Sequence, residues 1–192
     1  MAGRNLRSFI AFDLEPAVKK TLMREIGFLQ MAGADVHWVK EASLHVTVRF
    51  LGDLAPEEIL PVAAAIRRAT ADVPISRPTL RGLTAFPSVD DPRTIVVALE
   101  GEVEPVQRFF RNLQEELKKA GFRPEPRPLR LHVTLGRVKG DRFKDELKTR
   151  LAEAADRGFG DTVVAKFDLV LSELDPRGPT YTIMEEFELE GD

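Results

Sequence analysis

A tetrapeptide occurs twice in this 192-residue chain, as Leu44-His45-Val46-Thr47 and as Leu131-His132-Val133-Thr134, and the segments around the two copies keep one spacing. A strand-like segment at Phe9 lies 36 residues before His45, and another at Ile95 lies 37 before His132. After each motif a helical pattern leads to a further strand, with Leu80 following His45 by 35 residues and Ala165 following His132 by 33. A chain that doubles a strand-helix-strand-helix-strand unit can pack its copies about a pseudo-twofold axis, which brings equivalent strands together across a cleft. The expectation is an α+β fold, a single bilobal domain over residues 1–192, with repeat one at about 7–90 and repeat two at about 93–190. It is built of two pseudo-twofold-related antiparallel sheets with outer helices around a central groove.

In a strand the side chains alternate faces, so His45 and Thr47 share one face and His132 and Thr134 share another, while Leu44, Val46, Leu131 and Val133 turn into packing. The chain holds three histidines and 11 threonines, so two His-x-Thr pairs arise by chance with a frequency of only about 1 %. Either copy alone is most simply a satisfied, half-buried pair. Two copies in matching contexts point to one shared site.

Along the chain, residues 7–14 read as a strand, and Pro16 suits the first turn of a helix to about residue 30, ended by Gly33. A short strand at 36–39 precedes the motif strand at 44–51. Pro56-Glu57-Glu58 opens a helix to about residue 71, with Ile59, Val62, Ala63 and Ile66 at helical spacing. Residues 79–86 read as a strand, 87–92 as a turn cluster and 94–99 as a buried β-branched strand. An apolar stripe at 106, 109, 110, 113 and 117 marks a helix over 103–120, capped by Gly121. Residues 122–128 form a proline-punctuated loop, 129–138 the second motif strand, 141–155 a helix, and 163–174 and 180–189 the last strands. Asp175-Pro176-Arg177-Gly178-Pro179 has the chemistry of a hairpin turn, and the acidic last residues read as a solvated end.

The chain has no cysteine, which excludes disulfides, thiol chemistry and thiolate metal sites. The apolar residues 9–12 are cut short by Asp13 and are too few for a signal peptide, and nothing approaches a membrane span. A cytoplasmic monomer is expected. The net charge of −3 argues against a general nucleic-acid coat. Yet between Lys118 and Lys144 nine Lys and Arg stand against Glu125 and Asp141, so that segment is +7 and the remainder −10. A basic stretch wrapped around His132 suits an anionic ligand, because local potential does the steering; its bland alternative is a solvated Arg-rich loop.

Two imidazoles facing each other across a cleft can serve as base and acid in one displacement, since histidine's ordinary pKa of about 6.5 lets both protonation states coexist near neutrality. In-line displacement at phosphorus needs that opposition, with donors for the non-bridging oxygens between them. Thr47 and Thr134 supply hydroxyls, and Arg137 is a candidate charge clamp. Arg137 lies five residues past His132, so strict alternation aims it away from the cleft unless a bulge or strand end at Gly136 re-aims it. In the first copy Arg49 shares the parity of His45, and Phe50 reads as core. His37 and Trp38 read as structural. No His-Glu-x-x-His or similar spacing is present, so neither a metal nor a cofactor is expected. The competing reading is a non-catalytic nucleotide- or RNA-binding module on the same fold.

These residues resemble the two-histidine (2H) phosphoesterase superfamily, and within it the branch of RNA 2′,3′-cyclic phosphodiesterases or 2′-5′ RNA ligases. The resemblance covers essentially the whole chain. It runs through Arg7-x-Phe9-x-Ala11, His37-Trp38-Val39, the stretch from His45 to Gly52, Ala85-Phe86-Pro87, the stretch from Leu131 to Arg137, Leu171-Ser172-Glu173 and Gly178-Pro179-Thr180-Tyr181. It implies a bilobal fold with a V-shaped groove, hydrolysis of a terminal 2′,3′-cyclic phosphate to a 2′-phosphate, and in some members a weak ligation. The implied roles are general acid for His45, general base for His132, and phosphate contacts for Thr47, Thr134 and Arg137. The implied partner is an RNA bearing a 2′,3′-cyclic phosphate end, single-stranded or tRNA-derived.

Overall fold

The computed structural model describes residues 6–175 and 178–190; Pro176 and Arg177 of the expected hairpin turn, and the last two residues, lie outside them. The first repeat forms β1 (Leu6–Asp13), α1 (Pro16–Gln30), β2 (Val36–Trp38), β3 (His45–Leu54), α2 (Ile59–Thr70) and β4 (Pro78–Pro87). The second forms β5 (Pro92–Gly101), α3 (Glu104–Lys119), β6 (His132–Val138), α4 (Lys144–Glu153), β7 (Gly158–Asp161), β8 (Lys166–Asp175) and β9 (Gly178–Glu188). A short 3-10 turn, Pro56–Glu58, leads into α2, and Glu58 there accepts the N–H of Ala55. Gly33 and Gly121, just past α1 and α3, sit at φ of +69° and +90°, the left-handed conformation that ends a helix.

The strands join in the order β7-β4-β5-β6-β3-β1-β8-β9, every pairing antiparallel, with β2 added beside β6. That order is symmetric about the junction of β6 with β3: β5 answers β1, β4 answers β8, and β7 answers β9. The two expected sheets are therefore joined edge to edge into one, through the pairing of Val46 with Val133. Each half also borrows from the other repeat. Strand β4 belongs with β5 and β6, and β8 and β9 belong with β1 and β3.

All four helices cover one face of this sheet. Val18, Leu22 and Ile26 of α1, Val62 and Ile66 of α2, Phe109 and Leu113 of α3 and Leu147 and Leu151 of α4 share one core with Ile10, Val46, Val48, Val97, Val133 and Leu135 of the strands. Phe109 of α3 stacks flat on Phe167 of β8 at 3.7 Å between ring centroids. The other face carries the groove. None of the helices among the described residues is long and apolar enough to cross a membrane.

Element ends shift: α4 runs from Lys144 to Glu153 rather than over 141–155, and β8 starts at Lys166 rather than 163. Strand β6 starts at His132 rather than near 129, because Pro126 and Pro128 have no N–H to give a ladder. Strand β7 was not expected at all: Gly158-Phe159-Gly160-Asp161 has neither alternation nor β-branched residues, and it forms only because β4 offers it an edge.

Candidate active site

Each motif strand carries a bulge at the same place. Ile10 pairs with Arg49 and Ala11 with Thr47, leaving Val48 extra, while Ile95 pairs with Gly136 and Val96 with Thr134, leaving Leu135 extra. Both extra residues follow their histidine by three and both are buried in the core. An inserted residue reverses the alternation beyond it. Arg137, which plain alternation would have turned away, consequently lines the groove. By the same inversion Phe50 is no core residue: it is 56 % exposed on the groove face, beside Phe9.

His45, Thr47, His132, Thr134 and Arg137 all line one groove of about 1120 Å³. The antiparallel pairing of Val46 with Val133 sets the two motifs head to tail, so each histidine lies abreast of the other motif's threonine. The two rings are held alike. His45 donates its Nδ1–H to the carbonyl of Ser43 at 2.8 Å, and His132 donates its Nδ1–H to the carbonyl of Arg130 at 2.6 Å. That bond fixes the tautomer, leaving Nε2 of each neutral ring as the acceptor. Thr47 donates its hydroxyl to Nε2 of His45 at 3.0 Å.

Aromatic neighbours fix the ring planes. Phe9 stacks on His45 at 5.0 Å, Tyr181 meets His45 edge-on at 5.2 Å, and Phe86 meets His132 edge-on at 5.0 Å. Gly136 has a packing reason of its own, since a Cβ there would come within 2.7 Å of Val36 and 2.9 Å of Trp38. Trp38 and His37 pair with β6 and line the groove without joining the motif pairs.

The charges around the two histidines differ. Burial pushes both imidazoles below their ordinary pKa. Around His45, the Ser43 carbonyl and the Asp13 carboxylate, its register partner on β1, pull back upward, while Lys19 and His132 push down. Around His132 the Arg130 carbonyl pulls upward, and the guanidiniums of Arg137 and Arg130 push down. Asp13 thus favours the imidazolium at His45, and two arginines favour the neutral ring at His132.

Among the described residues six cationic ones, Arg7, Lys40, Arg49, Arg127, Arg130 and Arg137, line the groove against only Asp53 and Glu125. From the +7 segment only Arg127, Arg130 and Arg137 reach it; Lys144 pairs instead with Asp91 and Asp141, and Lys119 with Glu116. Arg49 sits in the groove wall, but its guanidinium is engaged: 3.1 Å from Glu125 and 2.6 Å from the Arg123 carbonyl, it fastens the 122–130 loop to β3. Among the described residues, no three His, Asp or Glu side chains are placed to hold a metal ion.

Phe9, Tyr181 and Arg130 were missed as groove residues. Arg130 shares the parity of His132 and Thr134, a signal that was available. Phe9 and Tyr181 come together only through the β1–β8–β9 register, which lies beyond reading a single strand.

The chain matches the family model of the LigT-like phosphoesterases twice in tandem, over residues 12–96 and 97–181. It is 33 % identical over 184 residues to an RNA 2′,3′-cyclic phosphodiesterase of Methanothermobacter thermautotrophicus, covering 96 % of this chain and 99 % of that one. It is 30 % identical over 186 residues to the enzyme of the same name from Thermotoga maritima, covering 97 % of each chain. Its fold is similar to the crystal structure of TT0787 of Thermus thermophilus, with a TM-score of 0.80 at 27 % identity, covering 97 % of this chain and 99 % of that one.

Proposed function

The chain belongs to the LigT-like phosphoesterase family, and from that premise we propose that it hydrolyses the 2′,3′-cyclic phosphate at an RNA end to a 2′-phosphate by acid-base catalysis between His45 and His132. The observation that carries this reading is the pair of His-Thr dyads, each ring held by a carbonyl two residues back so that both Nε2 atoms are the working atoms of one cationic groove. The names of the relatives, RNA 2′,3′-cyclic phosphodiesterase, support the same substrate class.

His132 takes the proton of the attacking water as the oxygen bonds to phosphorus. His45 delivers its proton to O3′ as the P–O3′ bond breaks. Asp13, itself paired with Lys19, stands by the acid, and Arg130 and Arg137 stand by the base, which is compatible with this assignment. Thr47, Thr134 and Arg137 donate to the non-bridging oxygens, whose charge grows as phosphorus becomes five-coordinate. The terminal nucleoside, bonded to the leaving O3′, then lies on the His45 side, where Phe9, Phe50 and Tyr181 form an aromatic wall. Stacking on such a wall is tolerant of base identity and contributes about 1–3 kcal/mol per base.

The polypeptide acts in this reading as one bilobal unit and a monomer, in the cytoplasm. Hydrolysis of an oligoribonucleotide ending in a 2′,3′-cyclic phosphate, followed in the presence of EDTA, tests it. Turnover to the 2′-phosphate that EDTA leaves intact is the expected result. Binding of the oligonucleotide without turnover would replace the enzyme with an RNA-binding module.

A further inference from the structure

We propose that the end of the groove carrying His37 and Lys40 is a subsite for the next phosphodiester of an RNA chain, the one on O5′ of the terminal nucleoside. The inference rests on the acid-base reading above and extends it from the end of the RNA to the link behind that end.

His37 is the third histidine, the one without a threonine two residues on. It pairs in register with Arg137 of β6, and Arg137 pairs on its other side with Thr94 of β5. All three residues line the groove. Three adjacent strands thus present an imidazole, a guanidinium and a hydroxyl in one row about 10 Å wide, at the usual strand spacing. Lys40, two residues past β2, adds an ammonium to the same end. The Arg137 guanidinium acts on both His132 and Tyr181, which places it by the reacting phosphate. His37, Lys40 and Thr94 have no part in that step. Arg49 and Arg127 are both engaged by Glu125, whereas among the described residues neither His37 nor Lys40 forms a salt bridge.

The other half of the molecule has a different row in the equivalent place. Arg137 stands five residues past His132, and five past His45 stands Phe50. Where Arg137 pairs with Thr94, Phe50 pairs with Phe9, and Val170 follows on β8. The pseudo-twofold therefore relates an apolar, aromatic row to a polar, cationic one. A ligand that fills both ends has to be aromatic at one and anionic at the other.

A ribonucleotide has that shape. The base on C1′ and the 5′ carbon on C4′ leave the ribose on either side of the ring oxygen, while O2′ and O3′ lie on the opposite edge. With the cyclic phosphate held between His45 and His132 and the base on Phe9 and Phe50, the 5′ oxygen is directed to the other end of the groove. In an RNA chain that oxygen carries a phosphodiester with one negative charge, which the donors of His37, Lys40 and Thr94 complement. No bond is made or broken at this phosphate.

The test uses the full-length enzyme and two dinucleotides ending in a 2′,3′-cyclic phosphate, identical except that the link between the nucleosides is a phosphodiester in one and a neutral methylphosphonate in the other. The wild type should favour the phosphodiester by about tenfold in kcat/KM. The double variant His37→Ala/Lys40→Ala should bring that ratio close to one. Both side chains are exposed, so the substitutions leave the core intact, and reading a ratio removes any general loss of activity. Arg7→Ala, an exposed cation on β1 at the aromatic end, should keep the wild-type ratio. A wild-type ratio near one, or a preference that the double variant keeps or that Arg7→Ala abolishes, overturns the subsite alone. Failure of the wild type to hydrolyse either dinucleotide overturns the underlying reading and the subsite with it.

Discussion

Val46 of β3 faces Val133 of β6, both fully buried, and each is the residue between the histidine and the threonine of its motif. The two halves of the sheet thus meet at the one point that sets a His-Thr dyad on either side of the same small space. Replacing His45 or His132 with alanine should each cost about 10²- to 10⁴-fold in kcat. The double variant should be little worse than either single one, because the two act in one displacement. Thr47→Ala and Thr134→Ala should each cost less than either histidine. Steady-state kinetics on a cyclic-phosphate oligonucleotide check all five variants, and near wild-type turnover in either single histidine variant would remove it from the mechanism.

The pH profile follows from the direction of both shifts. In the proposed mechanism His132 must be neutral and His45 protonated, and burial lowers both from the ordinary imidazole value. The bell-shaped kcat/KM curve of the free enzyme should therefore centre on the acid side of about 6.5. A maximum well on the alkaline side would contradict the environment described for the two rings.

The neighbours of each ring can be separated by histidine NMR titration. Asp13→Asn removes a carboxylate that raises His45, so its pKa should fall further; Arg137→Gln removes a cation that lowers His132, so its pKa should rise. Each substitution should move its own histidine more than the other.

Arg49 and Glu125 bind the 122–130 loop to β3, with 9 % and 17 % of their side chains exposed. Arg49→Ala leaves Glu125 without its interior partner and should cost about 3 kcal/mol by chemical denaturation. Because the same loop carries Arg127 and Arg130 into the groove, KM should rise more than kcat falls.

Asp168 is buried on β8, and its carboxyl is pushed from 3.8 to about 6, first by burial and then by Glu186, Asp13 and Glu188 against the pull of Lys166. A carboxyl whose pKa is raised by folding stabilises the protein only while it holds its proton. That contribution is complete below the unfolded value and is lost as the pH climbs through about 6. Asp168→Asn should accordingly raise Tm by more at pH of about 8 than at about 4. Equal gains at both would show that the buried charge is not the cause.

The candidate site was legible because its motif occurs twice. The repeated His-x-Thr gave the residues, and the matching spacings gave their meeting. The aim of Arg137 was not legible, since it depends on the bulge at Leu135, and a bulge is a property of two strands in register rather than of either sequence. Phe50 was misread for the same reason on the other side, through Val48. The exchange of β4 and β8 between the halves was hidden as well. Nothing in a strand's own alternation says whether its partner comes from its own repeat or from the other. The helices were read more closely because their signal is local, with the stripe from Val106 to Leu117 marking α3 almost to its ends.

The exchange of strands also orders events in time. Ser8, near the start of the chain, takes its place in the sheet beside Leu171, near its end. On a ribosome, β1 and β3 emerge long before β8 and β9 exist to cover their open edge, while β4, β5 and β6 can already pair. The half that holds His132 has nearly all its strands at a point when the half that holds His45 must still wait, so the His45 side of the groove is completed only when β8 and β9 arrive.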